Sequence, residues 1–539
     1  MPTRHRPLSL AATTAFLALV LASCTATPDE TDDDSPKPLP TPIVSELPLS
    51  QGAVAAGHPL AAAVGTAVLD AGGNAIDAAV ATAFADTVLQ PDASSIGGGG
   101  SAIIADSEFV DYVDYRDEVN AAGVIRAGGA GIPGFVAGMA ALHDKYGSMQ
   151  WSELLPGAIS LARDGAPVSA YLAGQLRYLP TGTNQTPAFF DAAGGLLPAE
   201  STLVQPELAQ TFQTLADEGP SAFYSGSLVP ALTSIPGVDA DSLGQYEVQW
   251  SNPPSGTFGD YTVISASPAL PGAAVIQQLQ IEEALGIRDT APNSAAFIDA
   301  QTKAWRIANA SIQSVFGDPN FTDVPVQTLT DAAANAALAA SAGATTSPDS
   351  PEVDGNTTHI SVVDENGLTV SMTNTVTNFW GSGQYTAGFF LNDSLERFND
   401  IGNAGLNVAR PGARSVSWSA PSLLLDAERR PVLAVGLPGG RQIPSTLATV
   451  IALWALHDLP LSDAVMAPRF QLLPDDTLRV EQGAPVADLQ ALGYRVQVSE
   501  NTPVFGSVQA LEIDWDARTI IGFADPRRAA GVTYTTPSP

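Results

Sequence analysis

A threonine pair that follows a long polar stretch could carry nucleophilic chemistry. Residues 326–355 are rich in Ala, Thr, Ser, Pro, Asp and Gly, which predicts a mobile segment, and Asn356-Thr357-Thr358-His359 then opens an apolar alternation. A threonine hydroxyl there could attack the preceding carbonyl and break the chain. The freed α-amine, with a reference pKa of about 7.7–8.0, would act as base for its own hydroxyl. A Thr pair is also ordinary strand sequence, so both interpretations stay open.

Alternating apolar residues predict strands that would position these threonines. The runs THISVVD and LTVSMTNTV flank Asp364-Glu365-Asn366-Gly367, which predicts a hairpin, and SLLLDAERRPVLAVGLPGG repeats the pattern. AGGNAIDAAVATAFADTVLQ predicts a buried helix. YTVISAS predicts a strand that precedes a helix from about Ala273, and a further helix is expected from about Ser445 to His457. Helices, then strands, then helices predict sheets sandwiched between helical layers.

Four consecutive glycines, Gly97 to Gly100, precede a short apolar strand from Ala102 to Ala105. A glycine run lets the backbone turn tightly and approach another segment closely. A phosphate-binding loop would need a following Lys-Ser/Thr pair and a helix, and neither is present. We therefore expect close backbone packing at this run.

Composition excludes several function classes. The 539 residues carry 23 Lys plus Arg against 56 Asp plus Glu, a net charge of −33, so nucleic acid is not expected as a partner. With Cys24 as the only cysteine, an internal disulfide, a thiolate cluster and a cysteine nucleophile elsewhere in the chain are excluded. The five histidines are scattered without metal-ligand spacing, which disfavours a metal hydrolase, and no cofactor is required. His359 is expected to be structural.

The first residues have the pattern of an export signal. Arg4 and Arg6 precede an apolar run from about Leu8 to Leu21, too short for a comfortable membrane span, and Leu21-Ala22-Ser23-Cys24 resembles a bacterial lipobox. Residues 1–24 are thus predicted to be a lipoprotein signal that leaves Cys24 lipidated and the protein on the membrane of the cell envelope. The alternative is an ordinary cleaved signal with an idle cysteine. Residues 25–43, rich in Pro, Thr, Ser and Asp, are predicted to be a disordered linker.

Several long blocks carry a family resemblance. NTTHISVVDENGLTVSMTNTVTNFWGSG resembles the processing site and small-subunit start of the γ-glutamyltransferases. Further blocks occur in the family order between roughly residues 50 and 525: GGNAIDAAVATAFADTVLQPDASSIGGGG, GIPGFVAGM, FGDPNFTDVP, GLPGGRQIPST, APRFQL and LRVEQG.

The resemblance implies a fold and a maturation step. The family has the N-terminal-nucleophile αββα sandwich and matures by self-cleavage into a tight pair of subunits. Here these would be a large subunit, 44–356, and a small subunit, 357–539. The implied activity is transfer of a γ-glutamyl group from small amides such as glutathione to water or amino acids, through a threonine acyl-enzyme.

The same resemblance assigns site residues. Cleavage between Asn356 and Thr357 would make Thr357 the nucleophile, and Thr375 matches the second threonine that bonds it. Gly439 and Gly440 match a pair whose backbone N–H groups form the oxyanion hole. Arg116 matches the arginine that grips the substrate α-carboxylate, a task that suits a guanidinium fork. Without the resemblance, Arg116 would be interpreted as a surface ion pair.

The chain departs from the family around the acyl-group pocket. The family has Gln and Asp where this chain has Ser394 and Arg397, and that Asp pairs with the α-ammonium of a γ-glutamyl group. An arginine there would repel an ammonium and attract a carboxylate, unless Asp393 or Glu396 substitutes in a shifted register.

Three further departures concern the surroundings of this pocket. The family Ser-Ser pair aligns with Ser417 and Trp418, and a family Asn aligns with Thr377. The segment from Phe398 to Ser417 is short, which predicts that no lid covers the site.

Three interpretations follow from matching machinery and an altered pocket. The first is a γ-glutamyltransferase or hydrolase that acts on small peptides. The second is a glutaryl-type acylase or a poly-γ-glutamate-processing amidase of the same fold, whose substrate lacks a free α-ammonium. The third is a self-processed lipoprotein that only binds a ligand. Thr375 and the glycine pair disfavour the third, since a binding protein needs no oxyanion hole.

Overall fold

The computed structural model describes residues 49–180, 186–342, 355–402 and 405–537. The predicted signal segment, Cys24 and the linker lie outside these residues, as do residues 343–354 before the predicted cleavage site. Within the described residues, no helix combines the length and apolar character that crossing a membrane requires.

Two antiparallel sheets form the centre of the fold. The first sheet has seven strands, which run in spatial order Gly531–Tyr534, Ala53–Ala56, Gly355–Val363, Thr369–Asn378, Gly99–Ala105, Val110–Asp114 and Gln249–Ser251. The second sheet has six, in the order Thr519–Ala524, Gln509–Asp514, Pro431–Gly436, Ser422–Leu425, Tyr261–Ser265 and Ser255–Phe258. The two predicted hairpins are confirmed, one in the middle of each sheet.

Helices cover the outer face of each sheet. The first sheet packs against Pro59–Asp70, Ala75–Leu89, Phe135–Tyr146, Trp151–Leu154, Pro156–Asp164, Pro206–Glu218, Ser221–Tyr224, Val229–Leu232 and Ala240–Gly244. The second packs against Gly272–Ala284, Ala295–Val315, Val326–Leu329, Ile443–His457, Leu461–Met466 and Val486–Ala491. The other helices are Ala170–Gln175, Ala332–Ala339 and Arg397–Asp400, and a smaller sheet joins Phe470–Leu472, Thr477–Glu481 and Arg495–Ser499.

Strand alternation produces the layers. In the strand Gly99–Ala105, Ala102 and Ile104 lie in the core beneath the first helical layer. Ile103 and Ala105 point the other way and pack on residues of the second sheet such as Leu423. Because successive strand side chains point to opposite faces, a strand buried on both faces must be apolar on both. The predicted four-layer αββα sandwich is therefore confirmed.

The helix Ala75–Leu89 ties the first helical layer to the central hairpin. All of its residues are buried, as the sequence predicts, and Asn74 and Asp77 form a capping box at its start. Asp364, in the hairpin turn, accepts the N–H of Ala75 at 3.0 Å through Oδ2. Its Oδ1 accepts the N–H groups of Asn366 and Leu368, so this one carboxylate holds both the turn and the helix.

The prediction that residues 326–355 form a mobile segment is wrong for the part that the structure describes. The helices Val326–Leu329 and Ala332–Ala339 occupy it, and Asp331 caps the second through the N–H of Ala334. Asn335 is buried and donates to Gln280 and to the carbonyl of Leu329. An alanine run has no amphipathic periodicity, so its composition alone suggested a loop.

A buried carboxylate lies between the helices of the second core. Glu282 is fully buried and accepts from Gln278 at 2.8 Å and from Gln301 at 3.4 Å. Burial raises the pKa of Glu282 to about 8, since no cation in the described part of the chain compensates its charge. At neutral pH the folded protein therefore keeps this group protonated.

Substitution E282Q should make stability less sensitive to alkaline pH. Because the folded-state pKa lies above the unfolded value, the stability that protonated Glu282 contributes is complete below the unfolded pKa and is lost as pH rises through about 8. We expect the Tm difference between E282Q and wild type to move in favour of the variant between pH 5 and pH 8.5. Thermal unfolding across this range measures it, and a pH-independent difference would contradict the assignment.

Candidate active site

A β-bulge separates the two central threonines from regular pairing. In the strands Gly355–Val363 and Thr369–Asn378, Thr358 pairs with Asn374, but Asn356 pairs with Thr377. Two residues, Thr375 and Val376, thus lie opposite Thr357, and this one extra residue bends the strand locally. Thr377 has φ of 85°, an uncommon conformation for a β-branched residue. The bulge turns the Thr375 side chain toward the peptide bond between Asn356 and Thr357.

The hydroxyl of Thr375 contacts both groups that would react in self-cleavage. It donates to the carbonyl oxygen of Asn356 at 2.7 Å and accepts from Thr357 Oγ1 at 3.2 Å. It also accepts the N–H of Thr377 at 2.8 Å, which fixes its orientation. One side chain therefore contacts both the carbonyl and the hydroxyl of the predicted nucleophile. The predicted partnership of Thr357 and Thr375 is present in the structure.

The glycine run fits against this threonine. A β-carbon on Gly98 would lie 2.3 Å from the carbonyl oxygen of Thr375, and one on Gly100 would lie 2.3 Å from that of Thr373. Such distances exclude any side chain. The prediction of close backbone packing at this run is confirmed. As a consequence, the glycine run packs directly against the backbone of Thr375.

The side chain of Asn356 is held at both ends. Its Nδ2 donates to Asp92 Oδ2 at 2.7 Å, while its Oδ1 accepts from Arg528 Nη1 at 2.9 Å and from the N–H of Thr357 at 3.1 Å. Burial raises the pKa of Asp92 to about 6, against the opposing field of Arg528 and the bond from Asn356. The sequence analysis missed Asp92 and Arg528, which are 264 and 172 residues from Asn356 and share no motif with it.

The predicted oxyanion loop approaches the chain just before the scissile bond. Gly439 and Gly440 follow the strand Pro431–Gly436 of the second sheet, with φ of 153° and 65°. A β-carbon on Gly355 would lie 2.8 Å from Gly440 Cα and 3.3 Å from its nitrogen. Glycine is required on both sides of this contact. The structure thus brings the glycine pair beside the cleavage segment, as predicted.

A pocket of about 410 Å³ opens at this point. Residues from both predicted subunits line it, namely Tyr171, Gln175, Tyr178, Gly355, Asn378, Phe379, Gly439, Gln442, Asn501, Pro503, Val504 and Arg528. A larger cavity of about 710 Å³ lies at the opposite end of the hairpin, against Asp364 to Asn366. Because Gly355, two residues before Thr357, lines the smaller pocket, we expect the smaller pocket to be the substrate site.

Arg397 lies behind this pocket with unused donors. Its Nη2 donates to Asn378 Oδ1 at 2.8 Å and lies 3.6 Å from the β-carbon position of Gly355. Asn378 in turn donates through N and Nδ2 to the carboxylate of Asp393, at 2.9 and 2.6 Å. Arg397 is 2 % exposed, and its Nε and Nη1 have no hydrogen-bond partner among the described residues.

The charges of this group are incompletely balanced. Asp400 lies 3.7 Å from Arg397 Nη1, beyond hydrogen-bond distance. Burial lowers the pKa of Arg397 and raises that of Asp393, since each charge has lost its water. The unpartnered Nε and Nη1 of Arg397 are shielded from solvent, and Arg397 lies beneath the residues that line the pocket.

Arg116 is engaged by the protein. Its Nε and Nη2 donate to Asp114, at 2.7 Å for the shortest contact, and its Nη1 donates to the carbonyl of Ser415 at 2.6 Å. The hydroxyl of Ser415 donates to the carbonyl of Ser394, which connects Arg116 to the predicted pocket. A substrate carboxylate would have to share Arg116 with Asp114. Its binding role stays a prediction.

The remaining predicted pocket residues divide between site and core. Ser394 is buried and donates to Asn392, while Glu396 is half-buried against Gly129. Trp418 packs in the second core near Trp305, with ring centroids 6.4 Å apart.

Trp418 is therefore a core residue, and neither it nor the half-buried Ser417 lines the pocket. Trp418 is 3 % exposed, and its role as a substrate contact stays a prediction. Ser415, which the sequence analysis missed, is the serine that links Arg116 to Ser394.

Comparison with known proteins decides the family. The profile of the family described as gamma-glutamyltranspeptidase matches residues 61–535. The chain belongs to the gamma-glutamyltranspeptidase family. The resemblance drawn from the sequence blocks is thereby confirmed.

Relatives of this family differ in their named activities. The chain is 34% identical to a glutathione hydrolase proenzyme of Pseudomonas aeruginosa, over 89% of this chain and 94% of that protein. It is 32% identical to the capsule biosynthesis protein CapD proenzyme of Bacillus anthracis, over 88% and 89%. A crystal structure of cephalosporin acylase from Bacillus halodurans superposes with a TM-score of 0.81 at 23% identity, over 93% and 99%, and shows the shared fold.

Membership in this family makes the chain an enzyme of the N-terminal-nucleophile hydrolase and transpeptidase type, whose relatives are made as proenzymes. The family thus supports the prediction of an autoprocessing enzyme.

Substitution T375A should slow chain cleavage by about 100-fold, because removal of one donor from a reacting carbonyl oxygen typically costs 10²–10³ in rate. Gel electrophoresis of freshly synthesised protein over time measures the conversion to two chains. T373A is the matched control, since Thr373 is buried on the same strand and bonds His359 instead. Equal cleavage rates in T375A and T373A would contradict the role of Thr375.

Proposed function

We propose that the protein is a self-cleaving amide acyltransferase in which Thr357 becomes the nucleophile. Thr357 Oγ1 attacks the carbonyl carbon of Asn356, and its proton passes to the departing nitrogen of Thr357. The C–N bond breaks and an ester forms. Water then hydrolyses the ester, which leaves a carboxylate on Asn356 and a free amine on Thr357.

The maturation proposal is supported by the contact of one hydroxyl with both reacting groups. Thr375 polarises the Asn356 carbonyl and orients the Thr357 hydroxyl in the uncut chain. Donors aimed at a developing oxyanion need no reorganisation as the charge forms.

Turnover would use the same atoms. The freed amine of Thr357 takes the proton of Oγ1, which attacks the amide carbonyl of the substrate. N–H groups of Gly439 and Gly440 stabilise the oxyanion, and the leaving amine departs with the proton. Water or a second amine then removes the acyl group from Oγ1.

For the acyl group, we propose a short chain that ends in a carboxylate and lacks a free α-ammonium. The observation that carries this is buried Arg397, whose Nε and Nη1 have no hydrogen-bond partner among the described residues. A carboxylate there would gain charge-assisted hydrogen bonds, whereas an ammonium would meet a cation in a region of low dielectric. Glutaryl amides fit, as do internal units of poly-γ-glutamate, where the α-amine is acylated.

A second candidate is the free γ-glutamyl group of glutathione-like amides. Asp393 lies in the same cluster as Arg397. Its carboxylate would be the counter-charge for the α-ammonium of such a substrate. Its two oxygens are already occupied by Asn378, which weakens this candidate. The P. aeruginosa relative is named a glutathione hydrolase, which favours it.

Paired anilide substrates test the acyl specificity. We expect a higher kcat/KM for glutaryl-p-nitroanilide than for γ-glutamyl-p-nitroanilide, and substitution R397Q should lower the glutaryl value roughly 10- to 150-fold, as loss of a charged hydrogen bond predicts. R430Q is the control, since Arg430 forms a half-buried ion pair with Asp426. A wild-type preference for the γ-glutamyl anilide would instead favour the glutathione-type activity.

We also propose that lipidation of Cys24 anchors the protein to the membrane of the cell envelope. The motif Leu21-Ala22-Ser23-Cys24 supports this proposal. C24A should move the protein from the membrane fraction to the soluble fraction, while S23A should leave it on the membrane. Cell fractionation with immunoblotting measures both. A membrane-bound C24A protein would contradict the anchor.

A further inference from the structure

Asp92 is a buried carboxylate placed directly behind the scissile residue. It is 0 % exposed, and its Oδ1 has no hydrogen-bond partner among the described residues. Its Oδ2 accepts from Asn356 Nδ2 at 2.7 Å. Burial of a carboxylate without a full set of partners is costly, so an uncharged residue would serve packing better. The feature therefore calls for an explanation beyond stability.

The backbone around Asp92 is fixed to the bulge that carries Thr375. The carbonyl of Asp92 accepts the N–H of Trp380 at 2.9 Å, and the carbonyl of Ala93 accepts the N–H of Val376 at 3.1 Å. The two donors, Val376 and Trp380, lie one and five residues after Thr375. Asp92 therefore has a set position relative to the hydroxyl that polarises the Asn356 carbonyl.

Asn356 has little freedom between its two charged neighbours. Asp92 accepts from its Nδ2, and Arg528 donates to its Oδ1. Because one neighbour accepts and the other donates, only one orientation of the carboxamide satisfies both. In that orientation Oδ1 points toward the N–H of Thr357, 3.1 Å away. Because the side chain and backbone of Asn356 share the α-carbon, fixing the carboxamide also restricts the direction of the Asn356 carbonyl.

We propose that Asp92 is a positioning residue for self-cleavage, which acts by holding the Asn356 carboxamide so that the scissile N–H and carbonyl are both pre-oriented. This inference rests on the proposed cleavage before Thr357. Arg528 assists from the other end of the carboxamide. Asp92 itself does not touch the reacting atoms; it sets the conformation in which Thr375 can reach the Asn356 carbonyl.

A double-mutant cycle tests the proposal on the full chain. Cleavage is followed from the moment of cell-free synthesis in wild type, D92A, N356A and the double variant. We expect D92A to slow cleavage about 10-fold or more, in the range of a lost charged hydrogen bond, and N356A to slow it similarly. If Asp92 acts through Asn356, the double variant is no slower than N356A.

Two further variants separate positioning from loss of structure. D92N keeps the size of the side chain and replaces a charged acceptor with a neutral one, so cleavage should slow less than in D92A. D86N is the matched control, because Asp86 is a fully buried carboxylate six residues earlier in the chain, and its oxygens have no hydrogen bond to Asn356. Thermal unfolding identifies any variant that has lost its fold, in which case D92N carries the test.

The pH profile of cleavage provides a readout that a structural role would not move. Protonation of Asp92 below about pH 6 would weaken its bond to Asn356, so the wild-type rate should fall there. Arg528 is the charged group whose field acts on Asp92 among the described residues, and it stays charged across this range. D92N should lose this acidic limb while keeping the rest of the profile.

The outcomes are distinct. Cleavage of D92A and D92N at the wild-type rate, or multiplicative effects in the D92A/N356A double variant, would overturn the positioning role and leave the proposed function standing. An uncut wild-type chain would overturn the proposed function and this inference together. Slowed cleavage in D92A, coupling to N356A and a normal rate in D86N would establish it.

Discussion

The hydrogen bond from Thr375 to the carbonyl of Asn356 is the contact on which the site depends. It exists because a bulge interrupts the pairing of the two central strands after Asn374, so that Thr375 faces the scissile peptide instead of a regular partner. The bulge is fixed by Asp92 and Ala93 on one side and by the glycine run on the other. The apolar cores on both faces of the first sheet then keep these strands in register.

The electrostatics of the site differ from those of the chain as a whole. The net charge is −33, yet Arg116, Arg397 and Arg414 are buried. Arg116 and Arg414 form ion pairs with Asp114, whereas Arg397 has the weaker compensation of Asp393 through Asn378. A buried cation of this kind would favour a carboxylate over an ammonium at the same position of the ligand. Acyl-group specificity would thus depend on the buried Arg397, while the acyl-transfer chemistry would depend on Thr357 and Thr375.

Local patterns predicted the frame of this structure well. The hairpin through Asp364, the buried helix after Asn74 and the close packing of Gly97 to Gly100 all follow from residues near one another in the chain. The family blocks paired Thr357 with Thr375, and their hydroxyls are in contact because the strands that hold them are adjacent in sequence. Asp92 and Arg528 could not be found this way, since their contact with Asn356 arises only from the tertiary fold. The alignment of Trp418 with a family serine did not reveal that its indole packs in the second core.

Intact mass and N-terminal sequencing of purified residues 25–539 would show directly whether the chain is cut before Thr357. We expect two chains that stay together, the smaller beginning at Thr357. A single uncut chain, or a new N-terminus at another residue, would contradict this expectation, because Thr357 would then have no free amine to serve as base.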